Sequence, residues 1–509
     1  MTMADDPPEP AARTTFPRET VRLAFAAGSP ISDEVVPAVM TAAGLAPDPP
    51  VERHVRATFW DTGDGRLAAA GGLMETSGRA TRLGLQVGPL RRRVWTVGGL
   101  GRPPTMQAFA AARQFPDELR AAALAPTLSS DGRARTWSAG RGGVAVSLET
   151  TDWSRGEARV AEELLTIEAA PRAGAAAVDL AVALAPALAL RLLPAPAEAR
   201  AAARIAGMRA PPLRVPIPAL DASASAIDGL RAIGQASLHQ MLGNLAAVTE
   251  TDTADGVHQF RVALRRLRSA LRLFRKLLAK PERKALGDGL RWLSQLFADA
   301  REWDVLIDET LKPLAAEVDD GALAPLLLAA EGRRTLAYAS LRTALAGPEP
   351  TRVLLQVARW FEIGAVPVRD GRGPPALGGF ARRALRQARK RLRERHETAA
   401  AASVEEWHEL RILAKQARYA TDAFRSLYPR RAVRPYLDAL VALQDCLGGI
   451  NDAAVARRMV ADLAGDAPDP GMATAAALVS GWTARERSGC HRAVARLWDE
   501  FDGIEPFWR

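Results

Sequence analysis

The residues best placed for chemistry in this chain are cations at helical spacing. In VHQFRVALRRLRSALRLF, Val257 to Phe274, the residues His258, Arg261, Arg265, Arg268 and Arg272 follow at steps of 3, 4, 3 and 4. On a helix that spacing holds them within an arc of about 80° and a length of about 20 Å. Arg266 adjoins the arc, while Phe260, Leu264, Leu267, Leu271 and Phe274 gather on another face. One side can pack and the other stays cationic. No acidic residue stands between Val257 and Pro281. Like charges at i,i+4 cost an isolated helix a few tenths of a kcal/mol per pair, about 0.2–0.5. An extended anion would offset that cost. The bland alternative is a solvated basic face paired with acids on neighbouring helices.

The arrangement occurs again. In WHELRILAKQARYATDAF, Trp407 to Phe424, an offset of 150 residues sets His408 opposite His258, Arg411 opposite Arg261, Lys415 opposite Arg265 and Arg418 opposite Arg268. Asp422 takes the place of the fifth cation. The register continues into the next helix, where REWDV, 301–305, lies over NDAAV, 451–455, with Glu302 opposite Asp452. A register shared by two helices indicates an internal duplication. Arginine suits an oxyanion partner, because its planar fork makes bidentate bonds to phosphate and stays charged at cellular pH. Each histidine is expected to be neutral in an empty cationic groove and to take up a proton with the anion. The competing role is a buried hydrogen-bonding residue. A further stripe, Arg382, Arg386, Arg389, Arg393 and His396, lacks a counterpart in the first copy. Arg386, Arg389 and Arg393 are secondary candidates.

Helices must position these stripes, and the chain supplies them beyond Asp221. There strand signals vanish and amphipathic segments alternate with Gly- and Pro-rich breaks. GRGPPALGG, 371–379, divides that half in two. Before it, short apolar runs such as VRLAF, TRLGLQVG and GVAVSLETT read as strands, with DTGDG a strong turn. The expected fold class is α+β. A tail at 1–13 precedes a β-rich domain at 14–206. A Pro-rich linker follows at 207–222, then a duplicated all-α domain at 223–505 with half-repeats near 223–345 and 376–505.

The whole-chain composition agrees with a polyanionic partner. The 509 residues carry a formal net charge of +10 and a pI of about 10.2. Arginine-rich coding could produce the same balance, so placement of the charges carries the argument. The two cysteines, Cys446 and Cys490, have no metal spacing and fit a reducing compartment. The most apolar run, 175–197, is broken by Asp179, Pro186, Arg191 and Pro194, so no membrane partner is expected. The basic helices lack interleaved aromatics and no helix-turn-helix is evident, which disfavours nucleic acid. P-loop, GxGxxG and HExxH patterns are absent.

The duplicated stripes, with AREWDV and GGINDAAV, resemble the CHAD family, the conserved histidine α-helical domain. The resemblance implies two pseudo-symmetric helical bundles and inorganic polyphosphate bound in a basic groove. It also implies a cytoplasmic location with polyphosphate granules as a point of association. FWDTGDGRLAAAG, 59–71, resembles a turn of the CYTH family, whose triphosphate tunnel commonly precedes CHAD. That family's first strand carries Glu-x-Glu-x-Lys, where this chain has Thr20, Arg22 and Ala24. Val87 stands where the family has a lysine, and Glu149, Glu162, Glu163 and Glu168 remain as potential metal ligands. Carboxylates and cations both look depleted, so an inactive tunnel without cofactor is expected. The alternative is a triphosphatase using a divalent metal such as Mg.

Overall fold

A computed structural model describes residues 18–98, 104–140, 143–251, 253–318, 321–369, 371, 373–398, 404–466 and 468–509. The tail expected at 1–13 lies outside them. The chain divides into two compact units. One comprises residues up to Ala210 together with Leu345–Gly364, and the other comprises Pro211–Ala344 and Ala365–Arg509.

The first unit runs β1 (Arg18–Ala26), α1 (Val35–Ala42), β2 (Val51–Asp61), α2 (Arg66–Ala69), β3 (Gly72–Ser77), β4 (Ala80–Gly88) and β5 (Arg91–Gly98). It continues with α3 (Asp117–Arg120), β6 (Ala125–Ala139), β7 (Val144–Arg155), β8 (Ala158–Ala169), α4 (Gly174–Leu188), β9 (Arg191–Leu192) and α5 (Ala197–Ile205). The strand order is β5-β4-β3-β2-β6-β7-β8-β1, and β1 also pairs with β5. Eight antiparallel strands therefore close a barrel, which removes the exposed edges of an open sheet. This is consistent with the tunnel fold that the resemblance implied.

Alternation along each strand sorts the side chains. On β1, Val21, Leu23 and Phe25 are buried in the outer core, while Arg18, Thr20, Arg22 and Ala24 line a central cavity. The DTGDG turn holds β2 to α2 through one carboxylate. Buried Asp61 accepts the backbone N–H of Thr62 at 2.6 Å, Leu67 at 2.8 Å and Ala68 at 3.0 Å. Gly65 follows at φ 75°, a left-handed conformation that favours glycine. The motif is thus a structural turn.

The apolar run forms α4, which packs on β7 and β8. Among the described residues, only the window Pro171–Leu188 is long and apolar enough by composition to cross a membrane, and 50% of it is buried in the unit.

The second unit begins on the Pro-rich segment. Buried Asn244 fastens that segment to the first long helix, accepting from Leu213 N at 3.0 Å and donating to Leu213 O at 2.8 Å. The helices are α6 (Ala226–Glu250), α7 (Ala254–Leu273), α8 (Lys280–Leu296), α9 (Ala298–Val305), α10 (Lys312–Val318) and α11 (Ala324–Ala346). A π-helical turn, Leu306–Leu311, joins α9 to α10. The chain then returns to the barrel unit with α12 (Pro348–Ala358), which packs on α4. This excursion between the two half-repeats had no signal in the sequence reading. Helices α13 (Leu377–Thr398), α14 (Val404–Phe424), α15 (Arg430–Ala464) and α16 (Pro470–Gly503) complete the second unit.

Repeat-equivalent helices meet. Helix α7 packs against α14, and the equivalent residues Phe274 and Phe424 approach at 5.9 Å between ring centroids. Contact between equivalent residues is what a local twofold axis produces. Both rings are fully buried, as are Phe260 and Phe297, which stack at 4.1 Å. The halves differ in one respect. The first breaks its helix at Phe297, whereas α15 runs unbroken through Gly448 and Gly449. Cys446 and Cys490 are both free, and the Cys446 thiol donates to the Cys490 carbonyl at 3.2 Å. Burial pushes the Cys446 pKa up to about 12.

Candidate functional site

Two cation-rich regions stand out, one in each unit. In the helical unit α7 and α14 carry the stripes on adjoining faces. The Arg265 guanidinium lies over the Tyr419 ring of α14, 5.4 Å from its centroid. This contact brings the cations of the two half-repeats together. Burial lowers the Lys415 pKa, and Arg411 and Arg265 lower it further, with Asp452 opposing. Burial likewise lowers Arg261, with Arg265 and Arg301 adding repulsion. His258 is held below its usual value first by burial, then by Arg301 and Arg265. In each case a neighbouring guanidinium, besides desolvation, disfavours the charge.

Individual placements refine the expectation. Arg261 donates Nη1 to the Ser294 carbonyl at 3.0 Å, which orients it along the stripe. Arg268 has its pKa lowered by burial and then by Arg272 and Arg291. Arg272 is exposed and, with Arg275 and Arg391, lines a cavity of about 70 Å³ between α7, α13 and α14. The Arg411 Nε is buried with no hydrogen-bond partner among the described residues. Arg418 is tied to acids, with Asp422 at 3.8 Å and Asp445 at 3.9 Å. His408 belongs to α14, but its side chain lies outside the described residues.

Three positions expected in the site depart from an open stripe. Arg266 turns toward α6 and the Pro-rich segment, with Nη1 3.4 Å from both the Val215 carbonyl and Gln240 Oε1. Arg389 is buried. It donates to the Ile504 carbonyl at 2.8 Å and the Asp502 carbonyl at 2.7 Å, satisfying the C-terminal end of α16. Arg393 is half exposed and ion-paired with Asp502 at 3.0 Å. Only Arg386 of that secondary set is exposed and without an acidic partner among the described residues. The reason is helix packing: the apolar face of α13 is wide enough to draw Arg389 inside, where carbonyls replace water.

The sequence reading also passed over contributors. Arg301 on α9 acts on both His258 and Arg261, and Arg291 on α8 acts on Arg268. Arg301 lies inside REWDV, but nothing in its spacing ties it to the stripe on α7.

The second region is the barrel interior, a cavity of about 930 Å³. Seven arginines line it: Arg18, Arg22, Arg53, Arg82, Arg91, Arg92 and Arg133. The expectation of depleted cations is therefore corrected. Arg18 and Arg22 stand on β1, and the others come from β2, β4, β5 and β6, away from the motif positions. Four glutamates also line the wall, Glu75, Glu149, Glu168 and Glu198. Each is already engaged by an arginine: Glu75 by Arg82 at 2.7 Å, Glu198 by Arg92 at 2.9 Å, and Glu149 and Glu168 by Arg22 at 3.0 and 2.7 Å. Of the other suggested metal ligands, Glu162 pairs with Arg200 and Glu163 is exposed. Among the described residues no group of three His, Cys, Asp or Glu side chains is disposed to hold a metal. The donor set does not fit a divalent cation, which needs several oxygen ligands free of competing cations.

The helical unit is duplicated and brings the cation stripes of its two halves together, and sequence comparison gives it a family. Residues 232–461 match the CHAD domain, so this chain carries a CHAD domain. A solved structure, the CHAD domain from the plant Ricinus communis, aligns with a TM-score of 0.50 at 29% identity, covering 58% of this chain and 98% of that one. PptA from Streptomyces chartreusis aligns with a TM-score of 0.44 at 19% identity, covering 54% of this chain and 100% of that one. No curated protein matches.

Proposed function

We propose that the helical unit binds inorganic polyphosphate along the joined stripes of α7 and α14. The observation that supports this most is the approach of the two stripes, with Arg265 reaching over Tyr419 from one half-repeat to the other. Cations that repel one another across such a contact gain most from an anion spanning both. Polyphosphate offers a negative charge on every unit of a flexible chain, and guanidinium forks match its oxygens. The contacts in this reading are His258, Arg261, Arg265, Arg268 and Arg272 on α7 and Arg411 and Lys415 on α14, with Arg301 behind them. In cells the protein would collect where polyphosphate collects.

The test is a titration of the full chain with long-chain polyphosphate beside the double variant Arg261→Glu, Arg265→Glu. At about 1.4 kcal/mol per lost charge-assisted contact, the variant binds on the order of 100-fold more weakly while its helical signal is unchanged. Equal affinity in wild type and variant would reduce the stripe to a solvated face. Duplex DNA at the same salt serves as competitor. Displacement of polyphosphate by equimolar DNA phosphate would point to a purely electrostatic grip.

A further inference from the structure

The chain has two cysteines, 44 residues apart, and the fold brings them together. Cys446 lies on α15 and Cys490 on α16, which are joined by residues 465–469 and pack side by side as an antiparallel hairpin. The Cys446 thiol donates to the Cys490 carbonyl at 3.2 Å. Burial first, and then a hydrogen bond with the Cys490 thiol, push the Cys446 pKa up to about 12. Cys490 Sγ lies over Gly449, where an added Cβ would stand 3.5 Å from it. Gly449 follows Cys446 by three residues on the same face of α15, so both sulfurs occupy one seam between the helices.

The seam is also the weak point of α15. Gly448 and Gly449 sit within the helix just beyond Cys446, and glycine is the poorest helix former after proline. At the equivalent place the first half-repeat breaks its helix, at Phe297. The two thiols differ in access: Cys446 is buried, whereas Cys490 is partly exposed.

We infer that Cys446 and Cys490 form an oxidation site at which hydrogen peroxide closes an intramolecular disulfide between α15 and α16. The accessible Cys490 sulfur attacks the peroxide O–O bond and becomes a sulfenic acid, and one water is released. The Cys446 sulfur then attacks the sulfenic sulfur. Its proton departs with the sulfenic oxygen as a second water, and the S–S bond forms. Two thiols give up two hydrogens with their electrons, and one peroxide is reduced to two waters. Reduction is slow for the same structural reason. A small thiol reaches the Cys490 sulfur, and its attack must expel the Cys446 thiolate, a poor leaving group because its pKa is raised. The bond thus outlasts a transient oxidation and staples α15 where its glycines weaken it. This inference is independent of the polyphosphate reading.

Peptide mapping of the full chain without reductant, before and after hydrogen peroxide, tests it. The expected product is a monomer in which the peptides of Cys446 and Cys490 are joined and both free thiols are lost. Its thermal unfolding midpoint should rise by about 3 °C and return on reduction with dithiothreitol. Cys446→Ala should stop the reaction at the sulfenic acid of Cys490, trapped by dimedone, and Cys490→Ala should leave Cys446 unoxidised. The mapping on the unsubstituted chain decides the matter if a variant does not fold. Two free thiols after peroxide, a disulfide joining two chains, or dimedone capture in the wild type equal to that in Cys446→Ala would overturn the inference.

Discussion

The barrel and the helical unit both concentrate arginine, yet they treat it in opposite ways. Inside the barrel a glutamate answers most guanidinium groups, as Glu149 and Glu168 answer Arg22 and Glu198 answers Arg92. Along α7 the nearest ionised neighbours of Arg261 and His258 include other arginines. The residue type is the same, and its surroundings decide what it does. Pairing turns arginine into scaffold, whereas crowding sets cation against cation.

Ionic strength separates the two regions most widely. Six stripe cations imply a slope of about −4 in log affinity against log salt, so a fourfold rise in salt weakens long-polyphosphate binding about 300-fold. A slope near zero, measured by fluorescence anisotropy, would erase the distinction. Next in size is the charge reversal of Arg261 and Arg265, expected to cost on the order of 100-fold in polyphosphate affinity.

Arg389 tests the comparison within the helical unit itself. It is a cation already engaged, as Arg22 and Arg92 are in the barrel, and it is buried. Arg389→Ala should lower unfolding stability by about 2 kcal/mol, because it strands the Ile504 and Asp502 carbonyls, and leave polyphosphate affinity unchanged. Denaturant titration beside binding would show the split. Lost affinity without lost stability would return Arg389 to the site.

The smallest effect is that of pH. His258 has a lowered pKa in the folded protein, so the unfolded chain binds its proton more tightly. Its contribution to stability is present above the usual histidine pKa and is lost as pH falls through the folded value. A bound polyanion reverses the local field and raises that pKa, so binding takes up a proton. Affinity for long polyphosphate should therefore rise from pH 8 to pH 6, by less than about tenfold, and His258→Gln should flatten the profile.

Much of this was legible in the chain. The 3,4 spacing of His258, Arg261, Arg265 and Arg268 fixes a stripe on any helix, and the same register at 408–418 marks the duplication. The apolar run VRLAF marked β1 as a strand. The turn at Asp61 was visible because glycine and aspartate serve few other roles in such a cluster. Less legible were Arg301, Arg389 and the arginines of β2, β4, β5 and β6. Each depends on which neighbour lies across a gap of many residues.

The sequence by itself therefore determined periodicity: which cations share a helix face, which strands alternate, and where a unit is copied. Periodicity is local, set by 3.6 residues per turn or two per pleat. Only the tertiary structure decided pairing. It closed β1 onto β5, carried α12 back to the barrel, brought Phe274 to Phe424, gave Arg22 to Glu149 and Glu168, and left Arg261 facing other cations. The physical reason is that an ion pair depends on distance in space, and distance in space is set by long-range packing that no local spacing encodes.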